Sequence, residues 1–419
     1  MTSEGTQFLE AAAAIGADLC RDAIWDGPRC NWLGDSMEPL LGGWNVVLRS
    51  FSMDLYGGTS GVGLFLARLY QLTGERIDRA TAEGAVAHCL SQWDQLPPHV
   101  RLSYYAGSVG IANALIEIGE ALGRSDLVEL ALDKLSSHIG VEPGPFAIDV
   151  INGRAGAIPP LLRLGARYSC PQFIDRAIQL GEDLLAYARK GDTGWSWTTM
   201  DPAGGGAKQD LTGFSHGTAG VVWALAELYH QTGRADFVEA ARQGIRYEQS
   251  FFQPDVGNWP DFRGEPVQQA KGPARFNCSL AWCHGAPGIA LGRLRTYQIT
   301  RDMEVRKQAE TAVQTTARSL TGVPGKESYS LCHGIAGNTE ALIYASSVLG
   351  EPTWLRLARQ TGLRGIESYH LAGADWPCGI PGGESNPSLL LGLAGIGYFY
   401  LRLIEPERFP SVLIPCPAQ

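Results

Sequence analysis

The chain has 419 residues, 45% of them hydrophobic, so it is longer than a typical single domain and can bury a large core. Its formal net charge is −9, and no run of lysine and arginine occurs in it. This composition excludes a broad nucleic-acid-binding surface, because phosphate binding needs clustered basic side chains.

The nine cysteines indicate a reducing, cytoplasmic environment. They are odd in number and follow no compact spacing between Cys20 and Cys416. Spaced Cys and His residues in such a chain more often bind a metal or act in catalysis than form disulfides. Residues 1–14 show no secretory signal, and the most apolar run, residues 388–400, is shorter than the about 20 residues of a transmembrane helix. We therefore expect no integral membrane segment.

The predicted elements are organised by a glycine motif that recurs seven times. Amphipathic helices with a charged face are predicted over residues 6–20, 76–93, 125–137, 173–189, 235–252, 303–320 and 354–369. The glycine motifs between them end at Gly61, Gly110, Gly156, Gly220, Gly288, Gly337 and Gly395. Apolar helices rich in Ala and Leu follow the motifs, as over residues 62–72, 111–122 and 221–229. The motifs would therefore lie at the N-termini of the apolar helices.

This alternation predicts an all-α fold, an α/α toroid of about seven inner and seven outer helices in a double ring. A helix that is apolar nearly all round must be buried, and small residues let such helices approach closely. An open helical solenoid is the alternative. We expect one domain over residues 1–419: an N-terminal outer helix and extension (1–50), seven glycine-motif repeats (51–405) and a tail (406–419).

Two Cys-His-Gly steps lie 49 residues apart at the same phase of the repeat, at Cys283 and Cys332. Neighbouring residues on a regular helix diverge, so Cys332 and His333 can share a metal only where the backbone is irregular, and Gly334 permits such a turn. Cys283, Cys332 and His333 then form a Cys₂His set for Zn²⁺ with an open fourth position, the pattern of catalytic zinc. One alternative is that the cysteines are small buried hydrophobic residues and bind no metal. Another is that His284 takes the place of Cys283 as a ligand.

Proton-transfer candidates occur at related positions. His216 has the same motif phase as His284 and His333, and its ordinary pKa of about 6.5 suits transfer in either direction. Asp149 precedes the third inner helix, where it either complements the helix dipole or orients His216. The other histidines are predicted to be structural or solvent-facing: His88, His99, His138, His230 and His370.

The motifs around Cys283, Cys332, His216 and Asp149, with the closing Leu-Gly-Leu-Ala-Gly-Ile-Gly-Tyr, resemble the lanthionine synthetase C-like cyclases over about residues 54–403. The form of the motifs is most similar to the cyclase half of class II lanthipeptide synthetases. The resemblance implies zinc on Cys283, Cys332 and His333, with proton transfer by Asp149 and His216.

Two positions depart from the family pattern. Ser279 and His284 stand where some branches have Arg and Tyr, so His284 is a further catalytic candidate. Arg275 and Arg154 are weak substitutes for the arginine. We leave open whether residues 25–39 bind a leader peptide or close the barrel.

The resemblance implies a zinc-dependent cyclase. A peptide Cys thiol would add to dehydroalanine or dehydrobutyrine, forming a lanthionine or methyllanthionine ring in a dehydrated precursor peptide. The partners expected are that peptide, leader plus core, and a separate dehydratase or kinase/lyase protein.

Two alternatives stay open at this stage. One is zinc-dependent glutathione addition or another thiol alkylation, which uses the same thiolate chemistry. The other is a non-catalytic, zinc-stabilised peptide-binding module, in which Cys278 would be the nearest fourth ligand.

Overall fold

The computed structural model describes residues 2–40, 43–200, 209–268, 274–322, 328–383 and 386–415. Cys416 and the remainder of the predicted tail lie outside the described residues. Fourteen α-helices run through this part of the chain, and we number them in order. They are α1 Ser3–Arg21, α2 Thr59–Thr73, α3 Arg76–Gln92, α4 Ser108–Leu122, α5 Ser125–His138, α6 Arg154–Arg167, α7 Pro171–Tyr187, α8 Thr218–Thr232, α9 Ala235–Ser250, α10 Ala286–Thr300, α11 Met303–Leu320, α12 Ile335–Leu349, α13 Pro352–Gly365 and α14 Leu393–Ile404.

The helices form two concentric rings, which confirms the predicted toroid. The even-numbered helices pack side by side in chain order, and α14 packs on α2 to close the inner ring. Each even-numbered helix also packs on an odd-numbered one outside it, with α1 covering α14. An open solenoid is wrong for this chain because its first and last inner helices are in contact.

Burial separates the two sets of helices as their sequences predict. The inner helix α4 is buried along nearly its whole length, whereas the outer helix α5 buries one stripe that includes Leu127, Ala131 and Leu135. Several inner helices end at a glycine in the left-handed conformation, as at Gly74 and Gly350, and an outer helix begins directly afterwards. The predicted bounds differ from the observed ones by a few residues at most helix ends.

Steric crowding explains why the last residue of each motif is glycine. A Cβ atom on Gly337 would lie 1.7 Å from the Leu331 carbonyl oxygen, and one on Gly288 would lie 1.9 Å from that of Trp282. The same contact, with the carbonyl six residues earlier, recurs at all seven motifs. The loop before each inner helix therefore folds over the first turn of that helix, and only glycine leaves room for its backbone.

Three short antiparallel hairpins lie outside the rings, and the sequence analysis did not predict them. They pair β1 Ile24–Asp26 with β2 Arg29–Asn31, β3 Leu33–Leu40 with β4 Gly43–Ser50, and β5 Arg189–Gly191 with β6 Gly194–Ser196. The hairpin of β3 and β4 packs near the loop before α14, where the Asn386 side chain donates to the Asp35 carbonyl over 2.8 Å. Among the described helices, none has the length and apolar character to cross a bilayer.

Candidate metal centre and active site

Backbone hydrogen bonds link the loops that carry the glycine motifs in a series that runs from the loop of Val150 to the loop of Tyr105. The amide of Cys283 donates to the carbonyl of Cys332 over 3.3 Å. The amide of Cys332 donates to the carbonyl of Leu390 over 2.9 Å. Further bonds in the same series join Leu390 to Tyr56, Tyr56 to Tyr105, Val150 to Ser215 and Ser215 to Cys283. We call this series the loop ring. Residues at the same position of successive repeats are therefore neighbours in space, and the two Cys-His-Gly motifs lie side by side.

Cys283, Cys332 and His333, the metal ligands expected from the sequence, lie together in a cluster that could hold a metal ion. Their ligand atoms all lie within 4.8 Å of one another, and no other group of three or more Cys, His, Asp or Glu residues in the described ranges could hold an ion. Cys278, the proposed fourth ligand of a structural site, is not in the cluster. Two sulfurs and one imidazole match the donor set of a zinc site that keeps a coordination position for another ligand.

The backbone around the cluster fixes the ligands. Cys332 and His333 precede α12, which begins at Ile335, so they are not constrained to diverge as on a helix. Gly334 has an extended conformation that any residue adopts; a glycine is needed there because a Cβ atom would lie 2.4 Å from the Ser328 carbonyl oxygen. His333 Nε2 donates to the Gly379 carbonyl over 2.7 Å, which leaves Nδ1 available to a metal.

The thiols of Cys283 and Cys332 interact with each other. A hydrogen bond between Cys332 and Cys283 lowers the pKa of Cys283 and raises that of Cys332 well above its ordinary value. Burial adds to the rise at Cys332 and opposes the fall at Cys283. The interaction thus shifts Cys283 toward the thiolate, which is the form that binds metal ions.

Asp149 and His216 form a hydrogen-bonded pair beside the cluster. Asp149 Oδ2 lies 2.5 Å from His216 Nδ1, and Asp149 Oδ1 accepts from the Asn152 amide over 2.7 Å. Burial disfavours the imidazolium, but the hydrogen bond and charge of Asp149 outweigh it and raise the pKa of His216. The charge of Cys283 raises that pKa further, which locates His216 in the electrostatic field of the metal ligands. The Asp149 bond occupies Nδ1, so Nε2 is the nitrogen left for proton transfer.

His284 lies behind His216, with the two rings stacked at a centroid distance of 5.9 Å. Its side chain is 1% exposed, and its Nδ1 is 4.0 Å from Asp261 Oδ1, beyond hydrogen-bond range. Burial and the charge of Arg263 lower the pKa of His284 to about 3. His284 is therefore neutral at physiological pH.

Two residues that the sequence analysis missed also belong to this site. Tyr56 shares a hydrogen bond with Cys332, and it occupies the first-repeat position that corresponds to Cys283 and Cys332. The repeat spacing could have identified it. Arg263 acts electrostatically on both cysteines, but it lies in an irregular segment between α9 and α10 where no motif points to it.

Neither arginine considered as a substitute from the sequence takes this position. Arg275 pairs with Asp255 over 2.9 Å on the outside of the same segment. Arg154 is buried and donates to the carbonyls of Gly144 and Ala147 and to Asp183 over 2.8 to 2.9 Å, so it supports the loop that precedes Asp149.

Residues 49–414 match the family model described as lanthionine synthetase C-like protein. The chain belongs to the lanthionine synthetase C-like family. The match includes the whole loop ring and all six predicted site residues.

Two curated proteins are similar to this member of the lanthionine synthetase C-like family. The lacticin 481/lactococcin biosynthesis protein LcnDR2 of Lactococcus lactis subsp. lactis is 23% identical over 88% of the chain and 38% of its own length. Glutathione S-transferase LANCL1 of Danio rerio is 24% identical over 48% of the chain and 45% of its own length. The chain thus spans less than half the length of these curated relatives.

Solved structures support the lanthionine synthetase C-like fold. Nisin cyclase superimposes with a TM-score of 0.68 at 18% identity, covering 87% of this chain and 92% of that one. A family 76 glycoside hydrolase from a bovine Bacteroides thetaiotaomicron strain superimposes with a TM-score of 0.52 at 12% identity, covering 96% and 78%. At these identities the likeness concerns the fold alone.

Proposed function

We propose that the protein is a zinc-dependent cyclase that forms lanthionine or methyllanthionine rings in a dehydrated precursor peptide. The observation that carries the proposal is the Cys283, Cys332 and His333 cluster beside the Asp149–His216 pair. The nisin cyclase fold and the relative named for lacticin biosynthesis support the same chemistry. The dehydrated peptide would come from a separate dehydratase or kinase/lyase partner, and the free thiols of the described cysteines suit a reducing cytoplasm.

The donor set fits zinc better than the hard cations. Thiolate and imidazole ligands select zinc among the common divalent ions, and the bond from His333 to Gly379 presets the ring for coordination. When bound, zinc would lower the pKa of an incoming peptide thiol so that it is nucleophilic at neutral pH.

The proton steps are assigned to Asp149 and His216. The addition leaves an enolate whose α-carbon needs a proton, and His216 Nε2 would donate it. Asp149 holds the imidazole by Nδ1 and favours its charged form, the state a donor must have. We assign His284 a positioning role, because a neutral ring stacked on His216 restricts the orientation of that imidazole.

A thiol-consumption assay tests the proposal. Purified protein with one zinc per chain is given a dehydrated, cysteine-containing peptide, and free thiol and ring formation are followed by alkylation and mass spectrometry. We expect ring formation to be lost in Cys332→Ala, together with the zinc. A Cys170→Ala variant is the matched control, since Cys170 is a partly buried free cysteine outside the cluster. Undiminished ring formation by Cys332→Ala would refute the proposal.

A second candidate is addition of glutathione to the dehydrated residue, which the similarity to a protein named a glutathione S-transferase favours. The two are separated by giving a dehydrated peptide without cysteine together with glutathione. Glutathione consumption there, with no ring formation on the cysteine-containing peptide, would favour this alternative. Peptide binding without consumption of any thiol would favour a non-catalytic binding module.

A further inference from the structure

Arg263 is held rigidly at the edge of the metal centre. Its Nε and Nη2 donate to the two carboxylate oxygens of Asp261 over 2.9 and 2.6 Å, and its amide donates to the same carboxylate over 3.1 Å. Ser279 Oγ donates to Asp261 Oδ2 over 2.9 Å, which ties this turn to the segment leading into Cys283. A bidentate pair of this kind fixes the plane of the guanidinium.

The third nitrogen of this guanidinium is available to a ligand. Nη1 of Arg263 has no hydrogen-bond partner among the residues the structure describes, and 42% of the side chain is exposed. Asp261 thus orients the group without using all of its donors.

Contacts of Asp261 connect Arg263 to the proton-transfer pair. Oδ1 of Asp261, which accepts from Arg263 Nε, lies 4.0 Å from His284 Nδ1, and the His284 ring stacks on that of His216 at a centroid distance of 5.9 Å. His284 directly follows Cys283 in the chain. The exposed part of Arg263 is thus near both a candidate metal ligand and the proposed proton donor.

We propose that Arg263 binds the carbonyl oxygen of the dehydroamino acid through Nη1 and stabilises the enolate that forms during addition. This inference rests on the proposed cyclase function and assigns its oxyanion-binding residue. Asp261 and Ser279 are positioning residues that act through Arg263. A preorganised donor at a developing oxyanion contributes more than the same donor in water, because it needs no reorganisation.

The step balances without an added reactant. The cysteine thiol gives its proton to solvent water, and a bond forms between its sulfur and the β-carbon. The π electrons of the Cα=Cβ bond form the Cα=C double bond of the enolate, and the π electrons of the carbonyl move onto its oxygen, to which Arg263 would donate its hydrogen bond. The α-carbon then takes a proton from His216 Nε2, the enolate returns to a carbonyl, and the neutral His216 regains a proton from solvent.

The test compares Arg263→Gln and Arg263→Lys with Arg275→Gln. Arg275 is the matched control: it lies in the same segment, pairs with an aspartate and has a similar exposure of 47%. Steady-state cyclisation is measured with a dehydrated peptide. Zinc content and affinity for the same peptide with Ser in place of Cys are measured in parallel, because neither depends on turnover.

We expect Arg263→Gln to lower kcat by about 10²- to 10³-fold, the usual loss when one oxyanion donor is removed. The zinc content and peptide affinity of Arg263→Gln should stay within about threefold of wild type. Arg263→Lys should keep part of the rate, because lysine keeps the positive charge but lacks the planar, bidentate guanidinium. Arg275→Gln should match wild type.

The inference is overturned if Arg263→Gln cyclises at the wild-type rate, or if it loses zinc or peptide affinity in proportion to its rate. The second result would give Arg263 a structural role. Failure of the wild-type protein itself to consume peptide thiol would instead refute the proposed function, so the two failures are distinguishable.

Discussion

At the scale of single residues, one structural position of the repeat holds side chains of different chemical type in different repeats. Five residues before the last motif glycine stand Tyr56, Tyr105, Ile151, Ser215, Cys283, Cys332 and Leu390. All of them except Ile151 take part in the backbone bonds of the loop ring, and in that repeat the neighbouring Val150 does so. The backbone therefore fixes where a side chain points, and the residue type alone decides whether that position binds a metal.

The Asp149–His216 pair predicts a pH dependence of cyclisation. His216 must be protonated to donate, so the rate should fall as the pH rises through its pKa. Burial lowers this pKa and Asp149 more than compensates, so Asp149→Asn should move the fall to lower pH and reduce kcat by about 10²-fold or more. The pH profile of kcat checks this. Asp126→Asn, which breaks an exposed pair with Arg124, is the control and should leave the profile unchanged.

Gly337 predicts a cost for adding a single methyl group. Gly337→Ala would press its Cβ against the Leu331 carbonyl, one residue before Cys332, and should lower the free energy of unfolding by about 1–3 kcal/mol. The zinc affinity should fall as well, because the displaced loop carries two ligands. Gly140→Ala, where the added atom meets nothing within 4 Å, should change stability by less than about 0.5 kcal/mol. Denaturant unfolding and metal titration measure both effects, and equal stability of the two variants would contradict this account.

At the scale of elements, the functional residues lie in loops that end at inner helices. The candidate metal ligands precede α10 and α12, His216 precedes α8 and Asp149 precedes α6. The outer helices contribute no ligand; their role is to hold the inner helices in place by burying one face. Function and packing are thus assigned to different parts of each repeat.

The outer helix α5 contains a histidine that couples stability to pH. His138 is 6% exposed, stacks on Trp93 at 5.1 Å and lies 2.7 Å from Ser108 Oγ of the adjoining inner helix. Burial, helped by the charge of Arg101, lowers its pKa. The folded state therefore resists protonation that the unfolded chain accepts below a pH of about 6.5.

The contribution of His138 to stability should be present above pH of about 6.5 and be lost as the pH falls through the lowered pKa. His138→Gln should flatten this part of the curve of unfolding free energy against pH. His99→Gln, at an exposed position, should leave the curve unchanged. Parallel curves for wild type and His138→Gln would show that another group is responsible.

At the scale of the whole molecule, closing the ring makes the ends of the chain interdependent. The first inner helix contacts the last, and α1 covers α14 from outside, with Phe8 fully buried against Tyr400 at a centroid distance of 5.9 Å. The metal ligands come from two successive repeats within this closed ring. A bound ion would therefore clamp elements that are distant in sequence.

Metal removal should lower the thermal unfolding midpoint of the whole chain. A ligand that binds only the folded state stabilises it by about 2.7 kcal/mol at 100 times its Kd. Chelation should reverse that stabilisation in the wild type and have no effect on Cys332→Ala, which cannot hold the ion. Calorimetry with and without chelator measures the difference; an equal shift in both proteins would point to a metal site elsewhere.

The sequence by itself determined the repeat, the two rings of helices and the phase at which Cys283 and Cys332 would meet. Those features depend on local periodicity and on glycine positions, which short stretches of sequence encode. Only the tertiary structure brought Arg263 to the candidate metal centre and gave His284 its buried place. These positions depend on contacts between residues that are distant in sequence, such as the hydrogen bond from Ser279 to Asp261. The loop between α9 and α10 has no local sequence pattern that predicts where it packs.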